Sequence, residues 1–239
     1  GDGGRSEVVY ALANDGVMVR YDPFSGESVT LGTPECGDDS VQWTFTASPD
    51  HGFIEYTDGT TYEVNLDTLA CTLTPLDPAA VGLDYDFGIA AVGSGAAERL
   101  FVYGVPTAGP PGRGPILAVA DTTSFALTKV GDVQPAPAGG GYSVNLTADG
   151  VGHLFAFAPG GPLATVQEID SSSAAVVQSV DTGVTTEGTW ATIAFGDSLY
   201  LWVGAEVVGY DLQTQSRTGE LDAGVSAVGA SAVGGCPGP

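Results

Sequence analysis

Acidic and aromatic side chains are the groups in this chain whose kinds and spacing could do chemistry. Carboxylates crowd the stretches between successive β-rich segments: Glu35, Asp38 and Asp39, then Asp77, Asp84 and Asp86, then Asp132, Asp181, Glu187, Glu220 and Asp222. A hard cation such as calcium takes roughly six to eight oxygen ligands. A face built from these stretches could supply them, with Asp38, Asp39, Asp84 and Asp86 as first candidates and Ca2+ as the cofactor. The run Asp84-Tyr85-Asp86-Phe87-Gly88 opens like a calcium loop but then enters a β-rich segment, so its ligand spacing is incomplete. The plain alternative is that these carboxylates are simply solvated.

The aromatic set is Trp43, Phe87, Tyr142 and Trp190, at matching places near the start of four β-rich segments. Rings there either wedge between packed sheets or offer a stacking platform to a ligand such as a sugar. Trp43, Tyr142 and Trp190 are the ligand-binding candidates under the second reading. Arg113 joins them, because it lies in the long insertion GVPTAGPPGRG at 104–114 and is one of only six basic residues. Insertions of that kind on a repeat scaffold often carry specificity.

Catalytic signals are thin. His51 and His153 each follow a turn, without a neighbouring nucleophile in a known context, and read as edge residues. The run VGSGAAE at Val92 resembles a dinucleotide loop but has no βαβ surroundings. Residues 229–234, GASAVG, miss the nucleophile-elbow pattern. A carboxylate pair for polysaccharide hydrolysis stays open, since acids abound and their separations are invisible in a sequence. Asn145-Leu146-Thr147 matches a glycan acceptor formally, but it sits inside a predicted strand.

The elements that must position these groups recur. An apolar strand runs into an aspartate, a short turn follows, and a second strand leaves, with the aspartates at Asp22, Asp67, Asp121, Asp170 and Asp211, 41 to 54 residues apart. A period of that size marks a propeller or solenoid. The aspartates read as turn formers whose carboxylates accept backbone N–H bonds. Ahead of each phrase lie two further β-rich runs, such as WTFTAS and GFIEYT around residue 50. The first repeat lacks one strand, and GVSAVGASAV at 224–233 has no partners of its own. Joining that segment to Val8–Leu12 closes a ring and removes its exposed sheet edges. The expected fold is therefore all-β: a five-bladed β-propeller of four-stranded blades, closed by the C-terminal strand on the N-terminal blade, with a β-sandwich as second choice. Residues 7–233 form the domain, between a polar tail at 1–6 and a Gly/Pro tail at 234–239.

Composition narrows the partners. Of 239 residues, six are Lys or Arg and 29 are Asp or Glu, a net charge of −23. Such a field repels phosphate backbones, which argues against nucleic acid. A run of about 20 apolar residues is absent, so no membrane span is expected. Among Cys36, Cys71 and Cys236 the favoured disulfide is Cys36 with Cys71, although in a ring the two could sit at different heights.

The phrases YEVNLDTLACTLTPL, GIAAVGSGAAERLFVYG and GVSAVGASAV make the chain resemble uncharacterised secreted or lipid-anchored β-propeller proteins of myxobacteria and related marine bacteria. The resemblance implies an extracellular or cell-envelope setting, with a lipid anchor upstream as one form of it, and carries over no catalytic residue. Together these readings lead to a non-enzymatic module that binds a protein or glycan through its acidic, loop-rich face. Self-assembly into a filament or surface layer and polysaccharide hydrolysis are the alternatives.

Overall fold

A computed structural model describes residues 8–37, 40–49, 51–107, 114–136, 144–149, 152–158, 164–185, 188–195 and 198–233. Its strands form five four-stranded antiparallel sheets. Blade 1 holds β1 (Val8–Ala13), β2 (Met18–Tyr21) and β3 (Ser28–Gly32), completed by β20 (Ala227–Val233). Blade 2 runs β4 (Gln42–Ala47), β5 (Gly52–Tyr56), β6 (Thr61–Val64) and β7 (Cys71–Leu73). Blade 3 runs β8 (Gly88–Val92), β9 (Arg99–Gly104), β10 (Ile116–Asp121) and β11 (Leu127–Asp132). Blade 4 runs β12 (Asn145–Ala148), β13 (Leu154–Ala158), β14 (Thr165–Ile169) and β15 (Val176–Asp181). Blade 5 runs β16 (Trp190–Phe195), β17 (Ser198–Val203), β18 (Glu206–Asp211) and β19 (Ser216–Asp222). Helix is confined, among the described residues, to two 3₁₀ turns, Pro78–Val81 and Gly95–Ala97.

The inner strands β20, β4, β8, β12 and β16 follow one another around an axis, and β16 touches β20 to complete the circuit. β20 pairs antiparallel with β1 from Val8↔Val233 to Leu12↔Gly229, so strands from both ends of the chain share one blade. Five blades crowd the inner strands. A Cβ at Gly229 would lie 2.1 Å from Phe45 N, and one at Gly88 would lie 2.4 Å from Val144 O, so these two approaches require glycine.

The core is distributed over the seams between blades. Strand alternation sends Phe53 and Ile54 of β5 to opposite faces. Accordingly, Ile54 packs with Leu12, Met18 and Phe45 between blades 1 and 2. Phe53 packs with Phe87, Ile89 and Val102 between blades 2 and 3. Equivalent clusters fill the seams of blades 3 and 4, 4 and 5, and 5 and 1.

The repeated phrase is a turn, with one correction. Asp22, Asp121, Asp170 and Asp211 each accept a backbone N–H bond from two residues on, at 2.8–3.0 Å. In blade 2 that place belongs to Asn65, whose Oδ1 accepts from Asp67 N at 3.0 Å and Thr68 N at 2.8 Å. An Asn amide oxygen closes the same turn as a carboxylate, so the turn in blade 2 begins two residues before Asp67. Four residues after each of these side chains the backbone turns left-handed, at Gly26, Leu69, Phe125, Ala174 and Gln215. Only one of the five is glycine, which hid the turn from a composition-based reading.

The disulfide joins Cys36 to Cys71, with an S–S distance of 2.03 Å and Cα atoms 4.8 Å apart. The difficulty of different heights disappears because the connector from blade 1 runs alongside blade 2: Glu35 bridges Ala70 in parallel and its N–H donates to Leu69 O at 3.2 Å.

Candidate functional site

Trp43 and Trp190 stand at the start of two inner strands and therefore at one mouth of the ring. Their rings meet edge to face, with centroids 6.4 Å apart and planes at 84°. Beside them lies a slot of about 200 Å³, lined also by Thr44, Val144, Asn145, Gly188, Thr189 and Val228. The buried Oγ1 of Thr189 has no hydrogen-bond partner among the described residues. Among the described residues, no charged side chain lines the slot.

The slot is closed below by polar side chains that cross the axis. Asn145, only 2% exposed, donates from Nδ2 to Thr44 Oγ1 at 3.0 Å and to Val228 O at 3.4 Å. Its Oδ1 accepts from Thr192 N at 2.9 Å. One amide on blade 4 thus ties together blades 1, 2 and 5. Deeper along the axis, Thr46 Oγ1 accepts from Ala91 N at 3.0 Å, and Ser231 Oγ donates to Ala47 O at 3.1 Å. Buried polar groups hold a structure rigid when they are satisfied. The signal in the sequence is the alternation of Thr, Asn or Ser with apolar residues in inner strands such as Thr44-Phe45-Thr46 and Asn145-Leu146-Thr147. The same burial removes Asn145 as a glycan acceptor, in line with its predicted strand position.

Two buried glutamates occupy opposite ends of the seam between blades 2 and 3. Glu55 of β5 is fully buried on the same side of its strand as Phe53, near the Trp43 end of the ring. Neither carboxyl oxygen meets a side-chain hydrogen-bond donor among the described residues. Burial, reinforced by Asp86 and Asp58, pushes its carboxyl well above the ordinary range, against a weaker opposing pull from the N–H groups of Phe87 and Asp86. At the other end Glu98, 2% exposed, faces His51 with Oε2 3.0 Å from Nε2. Burial would raise this carboxyl too, but His51, Ser48 and Thr122 together hold it below its ordinary value. The second His51 nitrogen lies 3.5 Å from Glu63, and its ring meets Phe53 edge-on at 4.9 Å. His51 is therefore an interblade clasp, which corrects its reading as an edge residue. His153 pairs locally with Asp149 at 2.7 Å.

The remaining candidates fall out as follows. Phe87 is fully buried in the seam between blades 2 and 3 and takes no part in the mouth, as the wedging alternative for the aromatic set expects. Tyr142, Arg113, Asp38 and Asp39 lie outside the described residues. Asp84 and Asp86 flank the exposed Tyr85, near Glu55. Burial and Asp84 raise the Asp86 carboxyl. No group of three or more His, Cys, Asp or Glu side chains among the described residues is arranged to hold a metal ion. No helix among them is long and apolar enough to cross a membrane.

No family model and no curated protein matches the chain. Among solved structures, it is similar to apo AztD from Citrobacter koseri at 16% identity and a TM-score of 0.44, over 96% of this chain and 62% of that one. It is also similar to Myxococcus xanthus glutaminyl cyclase at 15% identity and a TM-score of 0.51, over 78% of this chain and 72% of that one. A protein of unknown function from Bacteroides caccae gives 13% identity and a TM-score of 0.47, over 91% and 73%. The chain spans less than two thirds of the length of AztD. At such identities the likeness is one of fold alone.

Proposed function

We propose that this propeller is a non-enzymatic binding module that takes its ligand, a protein or a glycan, at the channel mouth marked by Trp43 and Trp190. The carrying observation is the combination of two part-exposed indoles with a rigid hydrogen-bonded floor beneath them. Side chains held in place before binding lose little freedom on binding, so even a small contact is used efficiently. The acidic loops around the mouth, Asp84 and Asp86 among them, attract cationic partners, repel anionic ones and leave neutral ones unhindered. An extracellular or cell-envelope setting accords with the Cys36–Cys71 disulfide, because such bonds persist in oxidising compartments.

The test is a glycan array and an immobilised peptide library, both probed with the intact chain and followed by tryptophan fluorescence titration of each hit. The expected result is a ligand that shifts the indole emission and loses at least tenfold in affinity in both Trp43→Ala and Trp190→Ala. Ligands whose affinity ignores both substitutions would move the site elsewhere.

A further inference from the structure

We infer that the slot beside Trp43 and Trp190 accepts the uncharged terminal sugar of a glycan, and does so from the chain end only. This rests on the channel-mouth reading above and narrows it. The slot holds about 200 Å³, below the range of roughly 300–1,000 Å³ typical of sites for drug-sized ligands. That is room for one ring. The floor made by Asn145, Thr44 and Val228 closes it beneath, so a polymer cannot thread through and an interior residue, with chain on both sides, cannot enter.

The lining selects the chemistry. Two indoles offer apolar surface to a flat array of C–H groups. Thr189 Oγ1 is buried behind the lining and takes no part in contact with a ligand. A cation would lose its hydration against walls whose described side chains carry no counter-charge. An anionic sugar, such as a uronate or a sulfated residue, meets the field of a chain with net charge −23. A neutral pyranose has both a C–H face and hydroxyls, and it meets none of these objections. Asn145 contributes shape rather than specificity, because both ends of its amide are already engaged in the floor.

The experiment titrates the intact chain with methyl glycosides of glucose, galactose, mannose and N-acetylglucosamine. Glucuronic acid, a linear maltooligosaccharide and β-cyclodextrin, which has no chain end, complete the set. Saturation-transfer NMR and tryptophan fluorescence are the readouts. At least one neutral glycoside is expected to bind, glucuronate at least tenfold more weakly, and any linear oligosaccharide that binds to do so where its cyclic counterpart does not. Trp190→Ala should remove the signal. If no neutral sugar binds while library peptides bind with sensitivity to Trp43→Ala and Trp190→Ala, the sugar inference is overturned and the binding-module reading survives. If neither class binds at the slot, both are overturned.

Discussion

Glu55 and Glu98 lie at opposite ends of one seam, and the protein treats them in opposite ways. Both side chains are shut off from solvent, and desolvation acts on both in the same direction, against the charged form. Glu98 escapes it because a turn of blade 2 delivers His51 and Ser48 to its carboxylate. Glu55 does not escape, because the nearest side-chain charges are the carboxylates of Asp86 and Asp58. Burial alone therefore says little about a buried acid; its neighbours decide whether it keeps its proton. The unfavourable end is the one that carries the tryptophan mouth.

The comparison can be broken most directly at His51. His51→Ala removes the group facing Glu98 and leaves a buried carboxylate short of its partner, which should cost about 3 kcal/mol of unfolding free energy in urea at pH 7. A loss no larger than that of a surface substitution would show that Ser48 and Thr122 suffice. Next in size, and opposite in sign, is Glu55→Gln, expected to stabilise by about 2 kcal/mol at pH 7. The folded pKa of Glu55 is raised, so its stability contribution is complete below the unfolded value of 4.5 and is lost as pH rises toward the folded one. Over that window stability falls by up to about 1.4 kcal/mol per pH unit for the one proton. The gain from Glu55→Gln should accordingly be near zero at pH 4 and grow by pH 8; a gain independent of pH would mean that packing, not titration, is the cause.

Glu98→Gln supplies the mirror image at a smaller size. The folded pKa of Glu98 is lowered, so its contribution is present above the unfolded value of 4.5 and is lost as pH falls through the folded one. A cost of about 1–2 kcal/mol at pH 7 should shrink toward pH 3, read as the difference between wild-type and variant urea midpoints. The smallest effect belongs to Glu63→Gln. Glu63 also faces His51, at 3.5 Å, but its side chain is 40% exposed, and a loss under about 0.5 kcal/mol is expected. A larger loss would make the clasp a three-residue unit rather than a pair.

Much of this molecule was legible beforehand because its architecture is local and repeated. The orphan strand at 227–233 announced ring closure, since a strand with no neighbours in sequence must find one in space. The Cys36–Cys71 pairing is favoured because the two cysteines flank one repeat, and the inner-strand positions of Trp43 and Trp190 follow from their equivalent places in two repeats. What stayed hidden depends on contacts between segments far apart in the chain. Asn145 looked like an acceptor site in a strand, and nothing local reveals that it meets Thr44, 101 residues away. His51 looked peripheral because Glu98 lies on the next blade. Asn65 was passed over for Asp67 because an aspartate stood two residues on, and the shared turn geometry that identifies Asn65 is a property of the backbone.

By itself, then, the amino-acid order determined the strands, the number of blades and how the ring closes, because alternation and turn chemistry act over a few residues. Only the tertiary structure decided which aromatic rings reach the mouth, that Phe87 is spent on packing, that Asn145 closes the slot from below, and in which direction each of two buried glutamates is shifted. Those outcomes depend on which blade faces which across the axis and the seams. Distances there are set by five sheets packing at once, and no short stretch of sequence contains them.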